Sequence, residues 1–210
     1  MTVDPGNPGL RERKKTRTRE AMYMHAMRLF LKQGYDETTV EQIAAEAEVS
    51  YSTFFRYFSS KEAVVFADDF DDQIAAEFEQ QLAELPAPRA LATAMRRVTD
   101  SLSGPELNAL WQRNKLVHSL PVLRAAVVRH LDESFVAIRE AAARHTGLDR
   151  DDFAIRIFAG AMQGIWMTVY FQWGDRSLPE MVDYMARAME LAETGLPLAP
   201  AAPGGPRRTR

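Results

Sequence analysis

From Leu10 to Thr194, apolar residues recur three and four positions apart, and no segment shows the strict alternation of a strand. This spacing constrains the fold more than any other feature, because a helix with one apolar stripe must bury it against other helices. The expected fold is therefore all-α. Gly34, the Pro86/Pro88 pair, Gly104-Pro105, Gly147 and Gly174 punctuate it into about nine helices. The expected spans are 10–33, 40–47, 51–58, 61–84, 89–102, 105–119, 121–146, 150–174 and 178–194. Thr39-x-x-Gln42 has capping-box spacing, and Ser50 caps the segment that follows it.

With 210 residues, 46% of them hydrophobic and 26% charged, the chain has room for a small domain joined to a larger one. No run of 18 apolar residues occurs, so no membrane span is expected. The first nine residues lack a basic-then-apolar leader and there is no cysteine, which makes a cytoplasmic protein without thiol chemistry the expectation. Enzyme signatures are missing. There is no Gly-x-Ser-x-Gly, phosphate-binding loop or Gly-x-Gly-x-x-Gly, and His25, His118, His130 and His145 form neither His-x-x-x-His nor Glu-x-x-His. A protein that binds rather than catalyses is expected, with no cofactor and no metal. The acidic run Asp68, Asp69, Asp71 and Asp72 reads as a solvated helix start in preference to a cation site.

The formal net charge of −3 is a sum of opposites. Between Gly9 and Arg19 stand six basic residues against Glu12 alone, whereas residues 62–206 hold 13 basic and 21 acidic ones. Arg207, Arg208 and Arg210 close the chain. The basic block is either a solvated arm or a polyanion-binding one, in which cations gain from counterion release at phosphates. Lys14 and Arg17 are its candidate phosphate contacts.

Thr39 to Phe58 reads as helix, tight turn, helix, with a long helix before it, the layout in which the second helix enters the major groove of DNA. Phe54 and Phe58 share a face that should pack on Ile43 and Phe30, with Val49 plugging the turn. The other side presents Tyr51, Ser52, Thr53, Arg56 and Tyr57, with Ser50 at the helix start. Hydroxyls there suit bases or phosphates, and an arginine can take guanine bidentately. Thr39 and Lys61 flank the unit as candidate backbone grips. A helical hairpin with ordinary caps would explain Thr39 and Ser50 equally well; the basic arm, the polar face and Lys61 together favour DNA.

Residues 39–50, Thr-Val-Glu-Gln-Ile-Ala-Ala-Glu-Ala-Glu-Val-Ser, and 53–62, Thr-Phe-Phe-Arg-Tyr-Phe-Ser-Ser-Lys-Glu, resemble the TetR family of transcriptional regulators, over 16–64. The resemblance implies a homodimer with an N-terminal DNA-binding domain at 10–60 and a ligand-sensing, dimerising domain at 61–195. A flexible leader at 1–9 and a disordered tail at 196–210 complete the organisation. The implied activity is repression from a palindromic double-stranded operator, released by a small effector. The alternative is a helix-turn-helix protein that binds DNA or partners with no effector. Two positions depart from the family pattern: Glu48 stands where the family has a turn glycine, and Phe55 where it has a phosphate-contacting tyrosine.

The sensing half is less specific. Trp111, Asn114, His118, Phe135, Met162, Gln163, Trp166 and Tyr170 form an aromatic and methionine stripe with scattered polar groups, either plain core or the lining of an apolar pocket. The family resemblance places dimerisation on the last two helices. It assigns the interface to Ala161, Gly164, Thr168 and Phe171 with Met181, Met185 and Met189, burial within one subunit being the alternative. Phe54–Phe58, Trp173 and Leu191–Leu196 are similar to a TetR branch with an acyl-CoA-like ligand-binding domain, which implies an acyl or other amphiphilic effector.

Overall fold

The computed structural model describes residues 10–172 and 176–196. The leader at 1–9, nearly all of the expected tail, Trp173 and the Gly174 stop lie outside them. The described residues form nine α-helices and no strand: α1 (Leu10–Gln33), α2 (Val40–Glu46), α3 (Tyr51–Tyr57), α4 (Phe70–Gln81), α5 (Ala87–Ser101), α6 (Gly104–Ser119), α7 (Pro121–Thr146), α8 (Phe153–Gln172) and α9 (Leu178–Glu193).

Helices α1 to α3 form the headpiece. Met22, Ala26 and Phe30 of α1 bury against Ile43 and Ala44 of α2 and against Phe54 and Phe58. The capping box at α2 closes in both directions: Gln42 N–H donates to Thr39 Oγ1 at 3.2 Å, and Thr39 N–H to Gln42 Oε1 at 2.9 Å.

The long helix expected over 61–84 is broken in two. A 3-10 turn, Ala63–Phe66, comes first, and α4 begins only at Phe70. The interruption has a tertiary cause. A continuous helix would give the Ala67 carbonyl to Asp71 N–H, but Arg19 of α1 donates to that carbonyl at 2.6 Å. Asp68 meanwhile accepts from Phe70 N–H at 3.2 Å and pairs with Arg113 of α6. Smaller shifts have local causes. Pro88 lies in the first turn of α5 rather than ending the preceding helix. The carboxylates of Asp149 and Asp152 accept from Asp151 and Ala154 N–H, both at 2.8 Å, which delays α8 to Phe153.

In the body, α5 lies between α4 and α9, and α7 packs on α4, α6 and α8. Helix α9 turns Met181, Met185 and Met189 inward, at 3%, 0% and 0% exposure. The expectation that these methionines meet a second copy gives way to burial in their own subunit, since a side chain without accessible surface cannot contact a partner.

Candidate DNA-reading surface and sensing core

The turn between α2 and α3 aims the second helix. Val49 N–H donates to Ala44 C=O at 2.9 Å and Glu48 N–H to Ala45 C=O at 3.1 Å, the paired bonds of a Schellman stop. Glu48 therefore stands in the left-handed region, at φ 54°. The sequence places a glutamate where the backbone asks for glycine.

Phe54, fully buried, and Phe58 pin one side of α3, leaving Tyr51, Ser52, Phe55 and Arg56 exposed on the other. At its start the Ser50 hydroxyl accepts from Thr53 N–H at 3.0 Å and lies 3.0 Å from Ser52 Oγ and 2.8 Å from Thr53 Oγ1, a compact hydroxyl cluster. The Arg56 guanidinium lies 5.7 Å from the Tyr57 ring centre. Lys14 and Arg17 are exposed on α1, and Thr39 is exposed at the start of α2.

Lys61 departs from its expected role. Its ammonium donates to the carbonyls of Tyr35 (2.9 Å) and Thr38 (3.0 Å) and lies 4.0 Å from the centre of the Tyr35 ring. It clasps the α1–α2 loop, and through that loop Thr39, instead of reaching outward. Tyr35 completes the clasp by donating its hydroxyl to Glu62 at 2.6 Å. Burial and that bond push the Tyr35 phenol well above its ordinary range. Burial also pushes the Glu62 carboxyl up, but hydrogen bonds from Tyr35 and Ser60 prevail and hold it below the usual value.

A second polar layer runs through the body. Arg113 and Asp68 pair with little exposure on either side chain. One oxygen of Asp71 (α4) lies 2.6 Å from His130 Nε2 and accepts from Ser134 Oγ at 2.8 Å, both from α7, and the His130 ring stacks on Phe66 at 4.6 Å. Burial pushes the Asp71 carboxyl up, yet His130's hydrogen bond and charge, with Arg113's charge and the Ser134 bond, hold it below the usual range. Serine and histidine converge on the same carboxylate oxygen, and Ser134 Oγ also lies 3.1 Å from the His130 carbonyl and 3.4 Å from His130 Nε2, so the three side chains form one polar cluster. Half of the acidic run, Asp68 and Asp71, is thus paired inward, and only Asp69 and Asp72 are exposed. Among the described residues no group of three or more His, Asp or Glu is arranged to hold a metal.

Asp71 and Ser134 are shared by two spaces. A cavity of about 40 Å³ lies among Ile74, Leu91, Met95, Phe135 and Trp166. A cleft of about 310 Å³ separates the headpiece from α7, walled by Arg19, Tyr57, Phe66 and His130. Of the eight residues expected to line a pocket, Phe135 and Trp166 reach the cavity, and Trp111 lines a separate open space of about 540 Å³ with Leu107 of α6 and Leu178 of α9. His118, Tyr170 and Trp166 stack in a row at 4.8 and 4.4 Å, and Tyr170 donates to Asn114 at 3.4 Å. Burial raises the Tyr170 phenol to about 12. Met162 is core, Gln163 donates outward to Asp132 at 2.5 Å, and Trp111 carries the Lys115 ammonium 4.4 Å from its ring centre. A reading of the sequence takes Asp71 as solvated and finds no motif around His130, and it passes over Arg113 and Ser134. The i, i+4 pair His130 and Ser134 marks one helix face, but its partner is 59 residues away.

Helix α8 leaves Gly160, Ala161, Gly164 and Thr168 exposed in one stripe, extended by Phe153 (78%) and Ile157 (57%), with Phe171 half-buried at its end. Tyr184 and Leu191 are the exposed large apolar residues of α9. A Cβ added at Gly160 or Gly164 would meet nothing within 4 Å, so the close approach that such glycines permit is not used among the described residues.

Residues 25–67 match the family described as bacterial regulatory proteins, tetR family, and residues 85–197 match the MftR C-terminal domain. Over 177 residues the chain is 34% identical to the HTH-type transcriptional regulator TcmR of Streptomyces glaucescens, covering 80% of this chain and 78% of that one. It is similar to the crystal structure of Thermus thermophilus FadR, a TetR-family transcriptional repressor in complex with lauroyl-CoA. That similarity has a TM-score of 0.51 at 27% identity, across 89% of this chain and 100% of FadR. The TetR transcriptional regulator from Nitrosomonas europaea shares the fold at 18% identity and TM-score 0.51, over 85% of this chain and 99% of that one.

Proposed function

The chain belongs to the TetR family of transcriptional regulators, and we propose that it is a homodimeric repressor released from a near-palindromic operator by a small, largely hydrophobic effector. The observation that carries this reading is the exposed face of α3, set in a segment that matches the family's DNA-binding part over residues 25–67 and pinned by Phe54 and Phe58. Ser52 and Arg56 face the bases, Tyr51 and Phe55 flank them, and Ser50, Thr53 and Tyr57 lie toward the phosphates. Lys14 and Arg17 add backbone contacts. The DNA-binding unit is residues 10–60 and the sensing unit 61–195, and the protein works in the cytoplasm, where its DNA is.

Two copies would join through the small-residue stripe of α8 with Tyr184 and Leu191 of α9. This sets the recognition helices about 34–36 Å apart, one turn of DNA. The effector site is the cavity beneath Phe135 and Trp166, with Asp71 and Ser134 at its polar end. At about 40 Å³ it is far smaller than ligand pockets of 300–1,000 Å³, so an effector seated there would part the helices around it, α4 and α7 among them. FadR's lauroyl-CoA supports an acyl or other amphiphilic compound. Parting these helices would disturb Asp71–His130 and the 3-10 turn that leads back to the headpiece, changing the half-site spacing. The effector acts only through unequal affinity for the two spacings, and operator must weaken effector binding by the same factor.

The test is selection from a random duplex library with the full chain, followed by titration of the enriched duplex with lauroyl-CoA. A near-palindrome with half-site centres one turn apart is expected, with duplex release on titration. A pool that never enriches rejects the DNA reading, and an enriched duplex indifferent to lauroyl-CoA rejects the acyl effector.

A further inference from the structure

The outward side of α3 carries two rows. Ser52 and Arg56, one turn apart, form a polar row opposite Phe54 and Phe58. Tyr51 and Phe55, also one turn apart, form an aromatic row along one flank. Phe55 keeps 42% of its surface exposed, a large apolar area on the face proposed to meet DNA. Its ring meets Tyr51 edge-on at 4.9 Å and Phe54 at 5.3 Å, so it is held in place rather than swinging freely. Without a hydroxyl it cannot donate to a phosphate. A ring with no polar group gains most when an apolar group covers it.

In the major groove one base edge offers such a group, the C5-methyl of thymine. That methyl lies toward the groove wall, where the flank of a central helix passes, while the helix's middle row meets the hydrogen-bonding edges. We propose that Phe55 is a specificity-determining residue that packs on a thymine methyl in each half-site, with Tyr51 and Phe54 fixing its ring. The assignment rests on α3 entering the major groove, and it makes the loss of the phosphate-contacting hydroxyl an exchange of backbone grip for base selection.

The experiment removes only the methyl. Once a duplex has been selected with the full chain, each thymine is replaced in turn by uracil, which keeps every hydrogen-bonding group of the base pair. Affinity is expected to fall about fourfold at one symmetry-related thymine per half-site, the effect of one buried methyl, and about sixteenfold when both are replaced. Phe55→Ala, with circular dichroism unchanged, should bind the thymine and uracil duplexes equally. Uracil tolerated by the unaltered protein at every thymine overturns the assignment, as does a Phe55→Ala protein that still discriminates. In both cases DNA binding itself survives. A library that never enriches fails earlier, with the groove reading itself.

Discussion

Helices α3 and α8 each keep one face uncovered among the described residues, and the chemistry of the two faces separates their roles. Helix α3 has seven residues, too few to be stable alone. It is held by Phe54 and Phe58, and its free face mixes hydroxyls, an arginine and two aromatic rings. Helix α8 is twenty residues long, and its free face is small and apolar, with Phe153 and Ile157 standing out of it. A polar face of that kind can exchange water for the edges of bases. An apolar one gains only by covering itself, and the empty space over Gly160 and Gly164 suits a second helix at close range. Uncovered surface thus carries information in proportion to how poorly water satisfies it.

The hardest test of this contrast compares two substitutions on neighbouring helices. Ala161→Arg lies on the open α8 stripe. It should leave circular dichroism intact, give a monomer by light scattering and weaken operator binding about 100-fold or more, because the second half-site no longer engages. Met185→Arg puts the same charge where nothing is exposed. It should cost about 3–5 kcal/mol and lower the thermal midpoint by about 10 °C. A dimeric Ala161→Arg protein would break the reading of α8.

On the other face, Arg56→Ala should lower operator affinity about 30-fold or more, the effect of losing one bidentate base contact in each half-site, with an unchanged melting curve. Replacing Lys14, Lys15 and Arg17 by alanine should flatten the salt dependence of binding, by about one unit of slope for every phosphate no longer neutralised. An equal fall in affinity for every duplex on Arg56→Ala would move that residue from the bases to the backbone.

Between the two faces, Asp71 ties α4 to α7. Its native pKa is depressed, so its contribution to stability is present above the unfolded value of about 3.9 and is lost as pH falls from there toward the native one. Asp71→Asn should flatten acid unfolding in that window, read by circular dichroism against pH. The smallest effect belongs to the turn. Glu48→Gly removes a left-handed strain of about 1–2 kcal/mol and should raise the midpoint by about 2–8 °C, and a lowered midpoint would show that the glutamate side chain offsets its backbone strain.

Much of the headpiece is legible because its signals are local. Thr39-x-x-Gln42, Ser50 and the Phe54/Phe58 spacing each act within a few residues, and capping and periodicity carry that far. Lys61 reads differently in sequence and in structure because its partners, the carbonyls of Tyr35 and Thr38, lie 26 and 23 positions back. In the body, helix ends are readable from Gly147 and Pro121, but which face each helix turns inward is not. The methionines of α9 and the small residues of α8 are both plausible seams on a helical wheel.

Chain order alone accounts for most of the helices, the caps at Thr39 and Ser50 and the charge division between arm and body, since each depends on near neighbours. Packing in three dimensions was needed to put Arg19 on the Ala67 carbonyl, breaking the helix there, and to bring Asp71 to His130 and Ser134. It was needed too for α9 to bury its methionines while α8 keeps its glycines open. Those outcomes depend on which surfaces compete for the same buried space, a contest between distant segments that no local pattern records.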